Sequence, residues 1–227
     1  MIRFENVSKV YETQGHHNLV LFDLNFTIAR HARLGICGAN GAGKSTLMRL
    51  LSGAEAPTTG RVIRTMSTSW PLGYSSAFQS SLSGADNARF IARIYGKDVQ
   101  SVLDFVEDYA QLGSYFRQPL NTYSAGMSGR LAFGISLAID FECYLIDEAT
   151  AAGDERFQRR TQEALTKRHA KAALVMVSHV PESLRSYCSS GAVLYGGQIT
   201  FYDTIDEAIE VHNYNQRKLK SDRAVGA

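Results

Sequence analysis

The sequence lacks a long apolar run. Its most apolar stretch, Leu131 to Ile139, is closed by Arg130 and Asp140, far short of the roughly 20 residues that a membrane helix needs. The charge-free stretch Thr65 to Ala85 is long enough, but its Ser, Thr, Gln and Pro content disqualifies it. No membrane span is expected. Charge of one sign is also lacking: 24 basic and 22 acidic side chains leave +2, scattered along the chain. The wide basic footprint of a nucleic-acid binder is therefore missing, and no nucleic-acid partner is expected. Only Arg217, Lys218, Lys220 and Arg223 cluster, beside Asp222, and they read as a solvated tail. Cysteine is scarce. Cys37, Cys143 and Cys188 are odd in number and widely spaced, without a Cys-x-x-Cys, so neither a disulfide framework nor a zinc site is indicated and a reducing cytosol fits. Arg3 and Glu5 interrupt the first apolar alternation, which is wrong for a signal peptide. No internal repeat or long linker is present. What remains is an ordinary globular composition, 227 residues with 44% hydrophobic and 20% charged, enough to bury a full core.

Ile2 and Phe4 before Val7, and Phe22, Leu24, Phe26 and Ile28, alternate with polar positions and predict two half-buried antiparallel strands. Leu34 to Cys37 then enters a glycine-rich turn. Thr46 to Ser52 follows as a helix with Leu47, Leu50 and Leu51 on one face and Gly53 as C-cap. From Asp86 to Ile139 the apolar residues fall at helical spacing: Phe90, Ile91 and Ile94; Val102, Leu103 and Val106; Leu131, Ile135 and Ala138. Strands are expected again at Cys143 to Ile146, Ala173 to Val177 and Ala192 to Tyr195, with a charged helix over Glu155 to Arg168 that turns Phe157, Ala164 and Leu165 inward. Alternating strands and helices predict an α/β fold with a parallel sheet. A short helix from Pro181, a hairpin at Gly196-Gly197 and a helix over Asp206 to His212 complete the chain. The expected organisation is a single domain: core and β-subdomain in 1–80 and 141–227, helical subdomain in about 81–140.

Gly38-Ala39-Asn40-Gly41-Ala42-Gly43-Lys44-Ser45 fits the phosphate-binding P-loop in letters and in context, between a predicted strand and a predicted helix. Its glycines let backbone N–H groups turn toward phosphate oxygens, and the helix N-terminus adds a favourable dipole. Lys44 can reach the β- and γ-phosphates, and the Ser45 hydroxyl can ligate Mg²⁺. Asp147-Glu148 follows the apolar Cys143-Tyr144-Leu145-Ile146, so two carboxylates emerge at a strand end, where open α/β sheets bind ligands. Asp147 is placed to hold the Mg²⁺ shell, and Glu148 to orient or deprotonate an attacking water.

Ser124-Ala125-Gly126-Met127 opens the last helix of the helical block, ahead of Asp147. P-loop, Ser-x-Gly at a helix start and then Asp-Glu is an order that resembles the ATP-binding-cassette (ABC) ATPases. Gln79 resembles their glutamine loop, Ala151-Ala152-Gly153-Asp154 their D-loop and His179 their switch histidine; Tyr11 resembles the aromatic on which adenine stacks. Tyr11→Phe is then expected to be nearly silent. The signature departs from the usual Leu-Ser-Gly-Gly-Gln, reading Tyr123-Ser124-Ala125-Gly126-Met127, so the last amide is lost. A narrower resemblance lies in Ser69-Trp70-Pro71-Leu72-Gly73, the Phe78 to Gly84 loop, Tyr123-Ser124-Ala125-Gly126-Met127 and Asp147 through Phe157. These are similar to the ATP-binding subunits of capsular polysaccharide (polysialic acid-type) exporters, related to those for O-antigen and teichoic acid.

The resemblance implies a P-loop ATPase fold with a RecA-like core, an N-terminal antiparallel β-subdomain and an inserted helical subdomain. It implies ATP and Mg²⁺ as cofactors. Gly38, Ala39, Asn40, Gly41, Ala42, Gly43, Lys44, Ser45, Thr46 and Tyr11 would hold ATP, joined by Ser124, Gly126 and Asp154; Ser45, Gln79 and Asp147 would hold the metal; Glu148, His179 and Gln79 would act in hydrolysis. Two copies would sandwich ATP head to tail, on the cytoplasmic face of the inner membrane, held by integral permease subunits and through them meeting periplasmic and outer-membrane export proteins. Export of O-antigen or teichoic acid is the alternative. A soluble mechanical ATPase would need a basic surface, a coiled-coil insertion or a second cassette, and a small-molecule kinase leaves Ser124, Gly126 and His179 unexplained. The residues after His179 are taken up by predicted elements, so no glycan-reading domain is expected there.

Overall fold

The computed structural model describes residues 1–13, 15–72, 78–147, 157, 159–161, 163–165 and 172–225. In chain order the elements are β1 (Ile2–Thr13), β2 (His16–Ile28), β3 (Arg33–Gly38), α1 (Lys44–Ser52), β4 (Thr59–Arg64), β5 (Thr68–Leu72), α2 (Gly84–Ile94), α3 (Val99–Ala110), α4 (Ala125–Ala138), β6 (Cys143–Ile146), β7 (Ala173–Val177), α5 (Pro181–Tyr187), β8 (Ser190–Tyr195), β9 (Gln198–Tyr202) and α6 (Ile205–Val225). They fall into two compact units, Met1–Thr68 with Glu142–Glu148 and Lys171–Ala227, and Ser69–Phe141 with Ala149–Ala170. This grouping differs from the expected boundaries: the second unit starts at Ser69 instead of about 81 and takes in the 149–170 stretch.

In the first unit β1 lies between β2 and β4, antiparallel to both. The simple alternation expected for β2 fails at Phe22. Asn6 (φ 50°) in β1 and Asp23 (φ 46°) in β2 adopt left-handed backbone and shift the register, and such bulges re-aim the following side chains. Leu21 and Leu24 therefore face the core while Phe22 is 49% exposed. The bulges are tied together by side chains: Asn6 N–H donates to Asn25 Oδ1 (2.8 Å) and Asn6 Nδ2 to Asp23 Oδ1 (3.2 Å).

The second sheet of this unit places β3 centrally and parallel to β7 and β8, with β6 beyond β7 and the antiparallel β9 beyond β8. β6 and β7 are buried throughout, as expected for a parallel sheet covered on both faces. Gly196 and Gly197, both with positive φ, make the two-residue turn between β8 and β9. One apolar core joins Ile2, Phe4, Leu21 and Leu24 to Ile36, Leu47, Leu51, Leu145 and Val175. The closing helix α6 runs on through the expected tail to Val225. Residues 213–225 contain no Gly or Pro, so nothing stops the helix. Its acidic first turn (Asp206, Glu207) and basic end suit the helix dipole.

In the second unit α2, α3 and α4 pack around Val102, Val106, Phe116, Leu131 and Ile135. Helical periodicity holds for α2, but its buried face differs from the expected one. Ala85, Ala88 and Ala92 are inside, whereas Phe90 and Ile94 are exposed. Small residues allow close approach: a Cβ on Gly84 would stand 2.6 Å from Tyr123 Oη and 3.1 Å from Leu131 Cδ1. Trp70 packs edge-on against Phe78 and Phe141 and beside Tyr95. Of the expected 155–168 helix, the described residues are helical, with Phe157 and Leu165 buried and Ala164 half-buried.

Candidate functional site

β3 delivers the chain to the P-loop in the middle of the parallel sheet, and α1 leaves from it with its first helical residue at Lys44. Gly43 sits before that residue at φ 101°, where a Cβ would meet Val20 Cγ1 at 2.9 Å; glycine alone suits both constraints. An open cleft of about 450 Å³ lies here, lined by Val20, Asn40, Gly41, Gly43, Lys44, Ser45, Thr46 and Asp147. Val20, from β2, was not legible as a site residue, because only the folded sheet brings it to the loop.

Lys44 Nζ donates to the carbonyls of Gly38 (2.6 Å) and Ala39 (2.9 Å). Burial pushes its ammonium below the usual range, opposed chiefly by the charge of Asp147. Burial likewise raises the Asp147 carboxyl, opposed by Lys44. A cation and a carboxylate thus face one cleft beside a ring of backbone groups, a polarity suited to a polyphosphate carried with a divalent cation. The donors fit Mg²⁺: Ser45 offers a hydroxyl and Asp147 a carboxylate to the same cleft, both hard oxygen ligands. Among the described residues no cluster of three His, Cys, Asp or Glu could form an all-protein cage, and Mg²⁺ with substrate phosphates needs none. Cys37, on β3, is raised to about 11 by burial and remains a packed thiol.

Tyr11 stands beside the cleft on β1. Its hydroxyl donates to Glu55 Oε2 (2.7 Å), accepts from Arg49 Nη2 (2.8 Å) and lies 3.4 Å from Thr46 Oγ1. Apart from any stacking on a base, Tyr11→Phe would strip hydrogen-bond partners from a half-buried charged pair. Burial alone would raise the Glu55 carboxyl, but hydrogen bonds from Lys9, Arg49 and Tyr11 and the Lys9 charge outweigh it and lower it to about 2. A carboxyl depressed by folding stabilises the protein above its unfolded value, and that contribution is lost as the pH falls through the folded one. The stability difference between wild type and Glu55→Gln should accordingly be constant near neutrality and shrink between about pH 4.5 and 2. Thermal melts of both proteins across that range check this; a gap independent of pH would contradict it.

The remaining expected site residues are placed less closely. His179 follows β7 and is exposed. Gln79, Ser124 and Gly126 belong to the second unit. Buried Asn87 clasps the Gln79 backbone, accepting from its N–H (2.9 Å) and donating to its carbonyl (3.1 Å). Ser124 caps α4 by accepting from Met127 N–H (3.3 Å), and Met127 is packed against the unit's core. Glu148 and Asp154 lie outside the described residues.

A family model described as ABC transporter matches residues 21–151. The chain is 44% identical over 217 residues to the ATP-binding protein BexA of Haemophilus influenzae, covering 96% of this chain and 100% of that one. It is 46% identical to the capsule polysaccharide export ATP-binding protein CtrD of Neisseria meningitidis serogroup B, covering 94% and 99%. To the polysialic acid transport ATP-binding protein KpsT of Escherichia coli it is 39% identical, covering 95% and 98%. The fold is similar to that of the ATP-binding cassette MJ0796 in its dimeric post-hydrolysis state bound to ADP and Pi, with a TM-score of 0.78, 20% identity, and 89% of this chain and 98% of that one covered. With the P-loop cleft on the parallel sheet and near full-length relatives of this kind, the chain belongs to the ABC transporter family and carries its ATP-binding cassette.

Proposed function

We propose that this chain is the ATP-hydrolysing motor subunit of a transporter that exports capsular polysaccharide across the inner membrane. The observation that carries the reading is the near full-length identity to relatives named for capsule polysaccharide export and polysialic acid transport, joined to the intact P-loop cleft. Teichoic acid export proteins are more distant, at 27–33% identity, and the chain covers 41–44% of their length. Among the described residues no helix is long and apolar enough to cross a membrane, so the translocation path is assigned to separate permease subunits, with this chain bound at their cytoplasmic side.

In the working site Lys44 and the loop N–H groups would bind the phosphates, and Ser45, Asp147 and Gln79 would hold Mg²⁺. When bound, the cation supplies charge that neutralises the transferring phosphoryl group. Glu148 would orient the attacking water, and His179 would act with it in hydrolysis. Tyr11 stacks on adenine. Ser124, Gly126 and Asp154 act across a head-to-tail dimer. Support for the dimer comes from Gly126: a Cβ there would meet only Ser124 Oγ, at 4.0 Å. Among the described residues no packing requires a glycine there, which leaves room for a group from outside. ATP closes the dimer and hydrolysis reopens it, and that cycle would alternate the access of the permease.

Deleting the gene tests the function directly. Lipid-linked polysaccharide should accumulate in the cytoplasm while surface capsule is lost. Normal surface capsule in the deletion strain would overturn the reading.

A further inference from the structure

The cluster around Tyr11 does more than fasten a strand. Arg49 Nη2 donates to the Tyr11 hydroxyl (2.8 Å) and to Thr46 Oγ1 (3.2 Å), while its Nε donates to Glu55 Oε2 (2.9 Å). Glu55 Oε2 also accepts from the Tyr11 hydroxyl. Lys9 Nζ pairs with Glu55 Oε1 (2.8 Å), donates to the Ala56 carbonyl (3.0 Å) and stands 5.1 Å over the Tyr11 ring centroid. The ring therefore has its hydroxyl edge fixed by two charge-assisted bonds and one face closed by a cation, so that a base can stack only on the other face.

The anchor points matter as much as the bonds. Thr46 lines the cleft in the first turn of α1, Arg49 follows on the same helix, and Glu55 lies just past its C-cap, Gly53. Thr46 and Arg49 are thus carried by the helix that begins at the phosphate loop, and Glu55 by the turn that ends it. Distance and tilt between the aromatic platform and the loop are therefore set by α1 and its C-terminal turn together with β1, and not by the β1–β2 sheet alone.

We infer that Arg49 and Glu55 are positioning residues for nucleotide: by holding Tyr11 in one orientation, with Lys9 closing its back face, they supply the base-dependent part of ATP affinity. This rests on the proposed stacking of adenine on Tyr11, and it assigns a role to three charged residues that no motif marks. A merely structural cluster would support the loop as a whole and act equally on every ligand of that loop. A positioning cluster acts only where there is a base to stack.

The test compares calorimetric affinities for Mg-ATP and for Mg-tripolyphosphate, which offers phosphates without a base. Arg49 is an exposed position on α1, so Arg49→Met should fold; Glu55→Gln serves as the second variant and Arg49→Lys as the conservative one. Arg49→Met should weaken Mg-ATP by about three- to tenfold, the scale of one or two lost hydrogen bonds, and leave Mg-tripolyphosphate within about twofold. Arg49→Lys should recover part of the loss, and Glu55→Gln should show the same base-dependent pattern. Equal weakening of both ligands, or unchanged ATP affinity in Arg49→Met and Glu55→Gln, would overturn the inference. Tyr11→Ala run in parallel separates it from the reading beneath. If Tyr11→Ala loses ATP affinity while Arg49→Met and Glu55→Gln do not, the positioning role fails and stacking stands. If Tyr11→Ala binds ATP as wild type does, stacking fails and the positioning role falls with it.

Discussion

Lys44→Ala should weaken Mg-ATP binding by about a hundredfold or more while leaving the protein folded. Lys44 is the one lysine or arginine lining the cleft among the described residues, and its ammonium already donates to two loop carbonyls, Gly38 and Ala39. Phosphate oxygens offer stronger, charged acceptors than these carbonyls. A hydrogen bond to a charged group is worth roughly 1.5–3 kcal/mol, and two of them lost together amount to about two orders of magnitude in affinity. Removal also leaves Asp147 without its opposing charge, so its carboxyl should rise further as burial acts unopposed. Folding should survive, because the side chain ends in an open cleft and not in the packed core of Leu47, Leu50 and Leu51 below it. Calorimetry with Mg-ATP, alongside a melt, decides the matter. Affinity within about threefold of wild type would remove Lys44 from the phosphate site.

The ease with which this site was read has a physical basis. The P-loop is contiguous, and its function resides in backbone N–H groups, one lysine and one hydroxyl whose placement follows from strand, turn and helix. Asp147 was equally legible, since a carboxylate after four buried residues has only the strand end to occupy. The partners of Tyr11 were not. Arg49 and Glu55 read as ordinary solvated charges around a helix end, and nothing local says that β1 will lie across them. The two faces misjudged in the fold have separate causes. Phe22 was assigned inward on an alternation that holds only while the strand is regular, and Asp23 breaks it with a left-handed residue. In α2 the apolar spacing was read from Phe90, Ile91 and Ile94, whereas close packing of the helix selected its alanines. In β2 a local break in the period moved one residue outward, whereas in α2 the period held and packing set the phase.

Gly60→Ala should be the most damaging methyl group that can be added to the N-terminal sheet. Between Glu5 paired with Arg61 and Ser8 paired with Thr59, two residues of β1, Asn6 and Val7, oppose the single Gly60 of β4. Gly60 answers the bulge with φ 76°, and a Cβ there would overlap the backbone carbonyl groups of Asn6 and Glu5. The left-handed conformation alone costs an alanine about 1–2 kcal/mol. The overlap adds to it, because backbone cannot rotate away as a side chain can. Asn6 is moreover held by its bonds to Asn25 and Asp23, so β1 can yield only by surrendering the bulge that sends Leu21 and Leu24 inward. A combined loss of roughly 4 kcal/mol follows, which for a chain of this size lowers the melting temperature by about 8–16 °C. Gly15→Ala is the control within the same sheet: its φ is 81°, yet nothing lies within 4 Å of an added Cβ, so only the backbone cost of about 1–2 kcal/mol should appear. Melting both variants separates the terms, and equal losses would show that the bulge makes no steric demand on Gly60.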